Sequence, residues 1–389
     1  MSAAKMGMVI RDPWYEFGTH SQFPAGPNTI FQDTMGGLLA EIGVRWVRLE
    51  FHIQGDDVAE QVARNDYFIN EVAPRHGFKV LGLLNFNLLR GEPTHHLVTG
   101  HEQLDPLYGG GVNAYMRTWL NRARFIANRY QDNVHAYEIL NEQNRMPDNS
   151  VIPAYLTARL HTKFYHFFHH RDRDTVPEGT SWRDTTPIIL GGLHPKGTGE
   201  PGHDRYTSDL EYLTQIYTHP WGGFPDYRRT TGRFPLDGLA YHPYPEEIRG
   251  SLNRVPRLRD AGWDATMIAY RMDEVRQELR GLGDPDVPFW ITEIGYNVAF
   301  RHQTEAGQVE FMAAVLPMLN QRPDVAANFW FKYEDFLPAT GPYANQWGVV
   351  RIPFEPDPSR PDGARYQEDG QPVMLRPSYH HYRTLVEQG

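Results

Sequence analysis

Val134-His135-Ala136-Tyr137-Glu138-Ile139-Leu140-Asn141-Glu142 and, about 150 residues later, Pro288-Phe289-Trp290-Ile291-Thr292-Glu293-Ile294-Gly295 share one pattern: a mostly apolar run that ends in a carboxylate. Such short, nearly continuous runs suit parallel strands covered on both faces. The interval between them suits about three strand–helix units, enlarged by loops, of a barrel that closes at eight. Carboxylates at the carboxyl ends of well-separated barrel strands face each other across one pocket.

Working outward, six more runs complete the set. The strands are predicted at 7–10, 44–51, 79–84, 136–141, 187–193, 236–242, 288–293 and 327–332. Helical periodicity falls between them at 37–42, 115–130, 155–169, 265–279 and 308–319. Alternation of this kind gives βαβ units and a parallel sheet. No glycine-rich phosphate loop follows any strand, which favours a closed barrel over a doubly wound sheet and leaves nucleotide binding unsupported. The expectation is α/β: a single (β/α)8 TIM barrel over residues 1–389, with long loops on the catalytic face. Three connections are long, 85–133, 195–235 and 333–373, and all follow the carboxyl end of a strand. Long connections in a compact domain are usually functional.

Composition narrows the function. The chain has 389 residues, 40% of them hydrophobic, so a large core is available. The net charge of -10, with both signs interleaved, argues against a nucleic-acid partner. Cysteine is absent, which excludes a disulfide framework, a thiolate nucleophile and a Cys-ligated zinc. The N-terminus lacks an apolar signal region and no run approaches a membrane span, so the expectation is a cytoplasmic protein with no membrane partner, or a secreted one if a signal segment was trimmed.

Two strand-end glutamates are the equipment for cleaving a glycosidic bond: one acid protonates the leaving oxygen, and one carboxylate attacks or stabilises the sugar carbon. Glu142 and Glu293 are the candidates. Burying a charge is costly, so a carboxylate directly after a buried strand tends to be used. Aromatics in the connections, Tyr212, Tyr217, Trp221, Phe224, Tyr227, Tyr343 and Trp347, suit stacking on sugar rings or packing beneath loops. His166 and His170 fall on one helical face, but no Glu lies between them, and Phe164, Phe167 and Phe168 beside them point to packing rather than metal. Neither a cofactor nor a metal is expected.

Tyr137-Glu138-Ile139-Leu140-Asn141-Glu142-Gln143-Asn144 resembles the Asn-Glu-Pro motif of glycoside hydrolase clan A, the family 5 and family 39 type of retaining β-glycosidases. Thr292-Glu293-Ile294-Gly295 resembles the nucleophile motif of that clan. The resemblance implies a carbohydrate substrate, with Glu142 as acid/base and Glu293 as nucleophile. Further matches imply substrate-site roles for Arg48 after strand two, His242 and Tyr244 after strand six, and Trp330 on strand eight as the floor of the sugar subsite. Asn141 would offer an amide to a sugar 2-hydroxyl. Arg48 beside Glu293 is expected to keep it ionised, and Glu142 is expected to have a raised pKa. Two departures stand out: Gln143 replaces the usual proline, and strand three ends in Asn85-Phe86-Asn87 where several relatives carry a histidine. The alternatives are an inactive carbohydrate-binding barrel and a metal-dependent barrel hydrolase; the latter needs a His/Asp ligand set, which Arg11-Asp12-Pro13-Trp14 after strand one does not supply.

Overall fold

Eight apolar runs close into one barrel in a computed structural model, which describes residues 3–10, 26–99, 102–145, 152–171, 185–195, 208–245, 265–299, 303–336, 346–358, 364–367 and 373–388. The strands are β1 (Met6–Val9), β2 (Trp46–Glu50), β3 (Lys79–Leu84), β4 (Ala136–Asn141), β5 (Ile188–Leu193), β6 (Gly238–Tyr241), β7 (Phe289–Gly295) and β8 (Val325–Phe331). They pair in parallel around the ring, with β1 closing against both β2 and β8. The architecture is a single (β/α)8 barrel, and each predicted strand boundary lies within two residues of the observed one.

The outer layer contains α1 (Thr29–Glu41), α2 (Ala114–Tyr130), α3 (Ala154–His166), α4 (Asp209–Thr218), α5 (Ala265–Gly281), α6 (Glu305–Gln321) and α7 (Pro377–Glu387). Helix α2 begins where Asn113 accepts the Met116 backbone N–H at 2.8 Å, satisfying a donor the helix cannot. Its buried residues Met116, Trp119, Leu120, Ala123 and Ile126 follow the three-and-four spacing of a single apolar stripe. The connection at 85–133 also holds an antiparallel hairpin, Gln103–Asp105 with Gly109–Val112, that the sequence pattern did not reveal.

Inside the barrel, Val9, Trp46, Leu81, Ala136, Ile189, Ala240, Trp290, Ala327 and Phe329 pack as one cluster. Trp46 and Trp290 meet edge to face with centroids 5.2 Å apart, so the lower barrel is a filled core rather than a pore. Side chains on a strand return to the same face every second residue. One step up from this floor, Trp46 gives way to Arg48, Ala136 to Glu138, Ala240 to His242 and Trp290 to Thr292. A further step on β2 reaches Glu50 at the mouth. The barrel interior therefore changes from apolar to polar within one layer.

The chain after β8 folds back on itself to build one wall of the mouth. Backbone bonds join Lys332 to Trp347 and Val349, and Val350 to Tyr333. Asp335 fixes the return: it accepts from the Gly348 N–H at 2.9 Å and from Arg376 at 2.6 Å. Among the described residues, no helix is long and apolar enough to cross a membrane.

Candidate active site

The lowest polar layer is a closed hydrogen-bond network. Glu138 and Arg48 are almost fully buried, at 0% and 3% exposure, which is tolerable only with partners on every side. Arg48 Nε donates to Glu138 Oε2 at 2.6 Å, and Thr292 Oγ1 and the Gly192 N–H both donate to Glu138 Oε1 at 3.0 Å. The other two guanidinium nitrogens point upward. One donates to Glu293 Oε1 at 2.8 Å and the other to Asn141 Oδ1 at 2.7 Å. Burial opposes the charge of Arg48, but Glu138 and Glu293 outweigh it and hold the guanidinium above its ordinary value.

Glu293 is held at both oxygens, since Tyr244 Oη donates to Oε2 at 3.1 Å. Burial, with Glu293 and Glu142 close by, pushes the Tyr244 phenol up, so it stays a donor. Asn141 gives its amide oxygen to Arg48, which leaves its NH2 group facing the cavity beside Glu293.

Glu142 owes its position to an irregular strand end. Leu140 and Glu142 have positive φ, 68° and 46°. The Leu140 carbonyl sits against Gly191, where no Cβ fits, and the ring of His242 lies over Gly192, where a Cβ would overlap it. The two glycines of β5 are therefore imprints of the active site. Gln143 donates to the Gly191 carbonyl at 3.1 Å, and Asn144 brackets the backbone of His194, donating to its carbonyl at 2.8 Å and accepting its N–H at 2.9 Å. Gln143, which departs from the clan pattern, thus ties β4 to β5.

Two histidines flank the Glu142 carboxyl. His242 Nδ1 is 3.1 Å from Oε1, and His194 Nδ1 is 3.5 Å from the same atom. Burial pushes this carboxyl up, but His194 and His242 outweigh it and hold it well below the usual carboxylate range. The sequence-based expectation of a raised pKa is corrected: neighbouring imidazoles, invisible in the local sequence, decide the direction.

Carboxylate oxygens of Glu142 and Glu293 and a ring nitrogen of His242 all lie within 4.8 Å of one another. A His and two carboxylates at that spacing resemble a metal ligand set. Here each already has protein donors or acceptors: Arg48 and Tyr244 on Glu293, Thr292 on His242 Nε2 at 2.9 Å. A guanidinium bonded to a ligand oxygen competes with a cation, so the donor set suits hydrogen bonding.

The structure brings together Arg48, Asn141, Glu142, His242, Tyr244 and Glu293. It does not bring Trp330 with them. Trp330 is fully buried outside the barrel wall and packs on Phe311 of α6, with centroids 6.1 Å apart. Its neighbour Phe331 lines the cavity instead, because adjacent residues on a strand face opposite ways. Phe331 is joined by Trp347, whose ring lies edge-on to both Phe331 and Tyr244 with centroids 5.6 Å away. Of the other connection aromatics, Tyr212, Tyr217, Phe224 and Tyr227 are buried packing residues and Trp221 is exposed; Tyr343 lies outside the described residues. Phe164, Phe167 and Phe168 are buried and His166 is exposed, while the His170 side chain lies outside the described set. The sequence reading passed over Glu138, His194 and Thr292. A glutamate inside an apolar run and a histidine directly after Gly191-Gly192-Leu193 were the available signals.

A family model described as a glycosyl hydrolase catalytic core matches residues 262–346, which carry β7 with Glu293 and all of β8. Over these residues the chain is similar to glycosyl hydrolase catalytic cores. Solved structures share the fold of the whole barrel. A β-glucosidase from Exiguobacterium marinum superposes with a TM-score of 0.60 at 12% identity, covering 100% of this chain and 98% of its own chain. The GH1 β-glucosidase from Exiguobacterium antarcticum B7 gives 0.60 at 14% identity, with the same coverage of 100% and 98%. A GH2 β-galacturonidase from Eisenbergiella tayi gives 0.52 at 14% identity, and there this chain is covered to 98% but spans only 51% of the other chain. At these identities the likeness is one of fold. No curated protein matches the chain in sequence.

Proposed function

We propose that this protein is a glycoside hydrolase that cleaves β-glycosidic bonds of oligo- or polysaccharides with retention of anomeric configuration, using Glu293 as nucleophile and Glu142 as acid/base. The observation that carries the reading is the carboxylate separation, with oxygens within 4.8 Å of each other. Direct attack on the sugar carbon needs carboxyls about 5–5.5 Å apart, whereas an inverting pair stands about 6.5–9.5 Å apart to admit a water.

In the first step a Glu293 oxygen attacks the anomeric carbon as the bond to the leaving oxygen breaks. The leaving oxygen takes its proton from Glu142. Arg48 and Tyr244 orient the nucleophile, one at each oxygen. In the second step Glu142, now unprotonated, takes a proton from water, the water oxygen attacks the same carbon, and Glu293 leaves. Esterification removes the negative charge of Glu293, which makes Glu142 a weaker base for holding its proton and releases it for this role. The Asn141 NH2 group donates to a sugar hydroxyl, and Phe331 with Trp347 offers the apolar surface for the ring.

A panel of aryl β-glycosides with different sugars, followed by proton NMR of the first product, tests this. Retention gives the β-anomer first. An α-anomer appearing first would overturn the mechanism.

A further inference from the structure

Glu50 is a second carboxylate in the cavity that Glu293 lines, and the catalytic mechanism does not use it. It stands on β2 two residues after Arg48, one layer higher on the inward face. The cavity, about 220 Å³, is lined by both Glu50 and Glu293, and it reaches from Glu293 toward Val9 and Ile10 at the end of β1 and the wall of β2.

The surroundings of Glu50 are built to hold a negative charge at the mouth. Asn87 and Asn85 donate their amides to Oε1 at 2.7 and 3.0 Å. Its Oε2 faces His52 Nε2 at 3.5 Å. Arg90 lies 3.3 Å from the other ring nitrogen of His52, and since arginine can only donate, that nitrogen accepts and the His52 proton points at Glu50. Burial raises this carboxyl, but His52 and the two amides outweigh it and bring its pKa down to about 2. A carboxylate has about four acceptor positions. The amides occupy Oε1, so Oε2 keeps acceptor capacity toward the cavity.

The rest of the lining matters equally. Among the described residues, Arg48 is the only lysine or arginine that lines this cavity. All three of its nitrogen atoms are already engaged, by Glu138, Glu293 and Asn141. Among the described residues, a sugar carboxylate would therefore meet Glu50 and find no free guanidinium or ammonium to pair with.

We propose that Glu50 is the specificity-determining residue of the sugar subsite: it accepts hydroxyls remote from the anomeric carbon and selects neutral glycosides against uronides. This rests on the glycosidase reading above and deepens it to a substrate class. A hydroxyl donated to a charged acceptor strengthens binding more than one donated to a neutral group, and a site built around such an acceptor discriminates strongly against analogues that cannot donate.

The experiment uses the full chain, wild type and Glu50→Gln, with 4-nitrophenyl β-glycosides of glucose, galactose, mannose and xylose, the 3-, 4- and 6-deoxy analogues of the best neutral one, and the glucuronide and galacturonide. Glu50→Gln keeps the shape and the acceptor for the asparagine amides but turns an N–H group to the cavity. The wild type is expected to prefer a neutral glycoside over its uronide and to lose about 10- to 100-fold in kcat/KM on at least one deoxy analogue. In Glu50→Gln, kcat/KM on the parent glycoside falls by a similar factor, the penalty for that deoxy analogue shrinks, and the preference over the uronide narrows. Glu50→Asp, which keeps the charge but draws it back, should retain the preference against uronides at reduced rate, and a thermal melt of each variant checks the fold. Wild-type turnover of neutral glycosides with an unchanged deoxy and uronide profile in Glu50→Gln overturns the role of Glu50 alone. A wild type that prefers a uronide does the same. A wild type that cleaves none of these glycosides overturns the glycosidase reading and this inference with it.

Discussion

His242 Nδ1 lies 3.1 Å from Glu142 Oε1, and the other side of the ring determines what that contact means. Thr292 has one hydroxyl proton and donates it to Glu138 Oε1, so it can only accept from His242 Nε2–H. With Nε2 protonated, His242 and Glu142 hold one further proton between Nδ1 and Oε1. His194 and His242 hold the Glu142 carboxyl below its ordinary range, so the shared proton belongs to neither group alone. It is then a property of the pair, and a pH–rate profile reports the pair.

His242→Asn removes the imidazole from that pair. The alkaline limb of kcat/KM, which reports loss of the shared proton, then belongs to a carboxyl and should move to lower pH, with a lower maximum. A limb that stays in place would assign the proton elsewhere. Gly192→Ala should lower kcat in the same direction, because a Cβ there overlaps the His242 ring.

Glu293→Ala should abolish turnover by a factor of order 10⁴ or more, since the covalent route itself is lost. A 2-fluorosugar that traps the glycosyl-enzyme should label Glu293 in peptide mass spectrometry. Glu142→Ala should lose most activity on oligosaccharides yet form the glycosyl-enzyme quickly from a dinitrophenyl glycoside, whose leaving group needs no proton. Azide should restore its turnover and yield a β-glycosyl azide; an α-product would exchange the two roles.

Arg48→Lys keeps one charge but cannot reach Glu138, Glu293 and Asn141 at once. Both kcat and melting temperature should fall. Breaking a buried ion pair costs about 3–5 kcal/mol when a charge is left uncompensated, and Glu138 at 0% exposure is such a group. Wild-type behaviour of the lysine variant would remove the fork from the argument.

Phe331 and Trp330 should separate cleanly. Phe331→Ala removes cavity surface and should raise KM with a small change in melting temperature. Trp330→Phe should lower stability by roughly 1–3 kcal/mol through lost packing on Phe311 while leaving KM unchanged. The reverse pattern would return Trp330 to the sugar site.

Asp335 is raised to about 6 by burial, which outweighs Arg376. The folded state therefore binds a proton that the unfolded chain has released, and stability falls as pH rises from about 4 to about 6, then levels. Glu50 acts in the opposite sense, contributing stability above its unfolded value of 4.5 that is lost as pH falls toward 2. Melting curves of Asp335→Asn between pH 4 and pH 7 should lack the downward contribution of Asp335. An unchanged slope would exclude it.

Much of the site was legible because it repeats every two residues along each strand. Arg48 above Trp46 is a polar residue at a position where the alternation demands an inward side chain, and the same rule would have found Thr292 above Trp290. The pleat also explains the one misplacement. Strand eight reads Asn328-Phe329-Trp330-Phe331, aromatic at three successive positions, so its pattern does not say which of them face inward. The register with β1, Gly7 opposite Phe329 and Met8 opposite Trp330, settles that.

The order and length of the apolar runs determined the barrel, since covered parallel strands need continuous hydrophobicity and crossover helices need their own spacing, both local properties. The same runs placed two glutamates at strand ends on one rim. What only the tertiary structure decided is everything that depends on distance between strands: the placement of Glu142 beside Glu293, the histidines at the ends of β5 and β6 that lower its pKa, and Glu50 beside Asn85 and Asn87. Electrostatic and hydrogen-bond energies depend on separations of a few ångströms, and residues far apart in sequence acquire such separations only when the barrel closes.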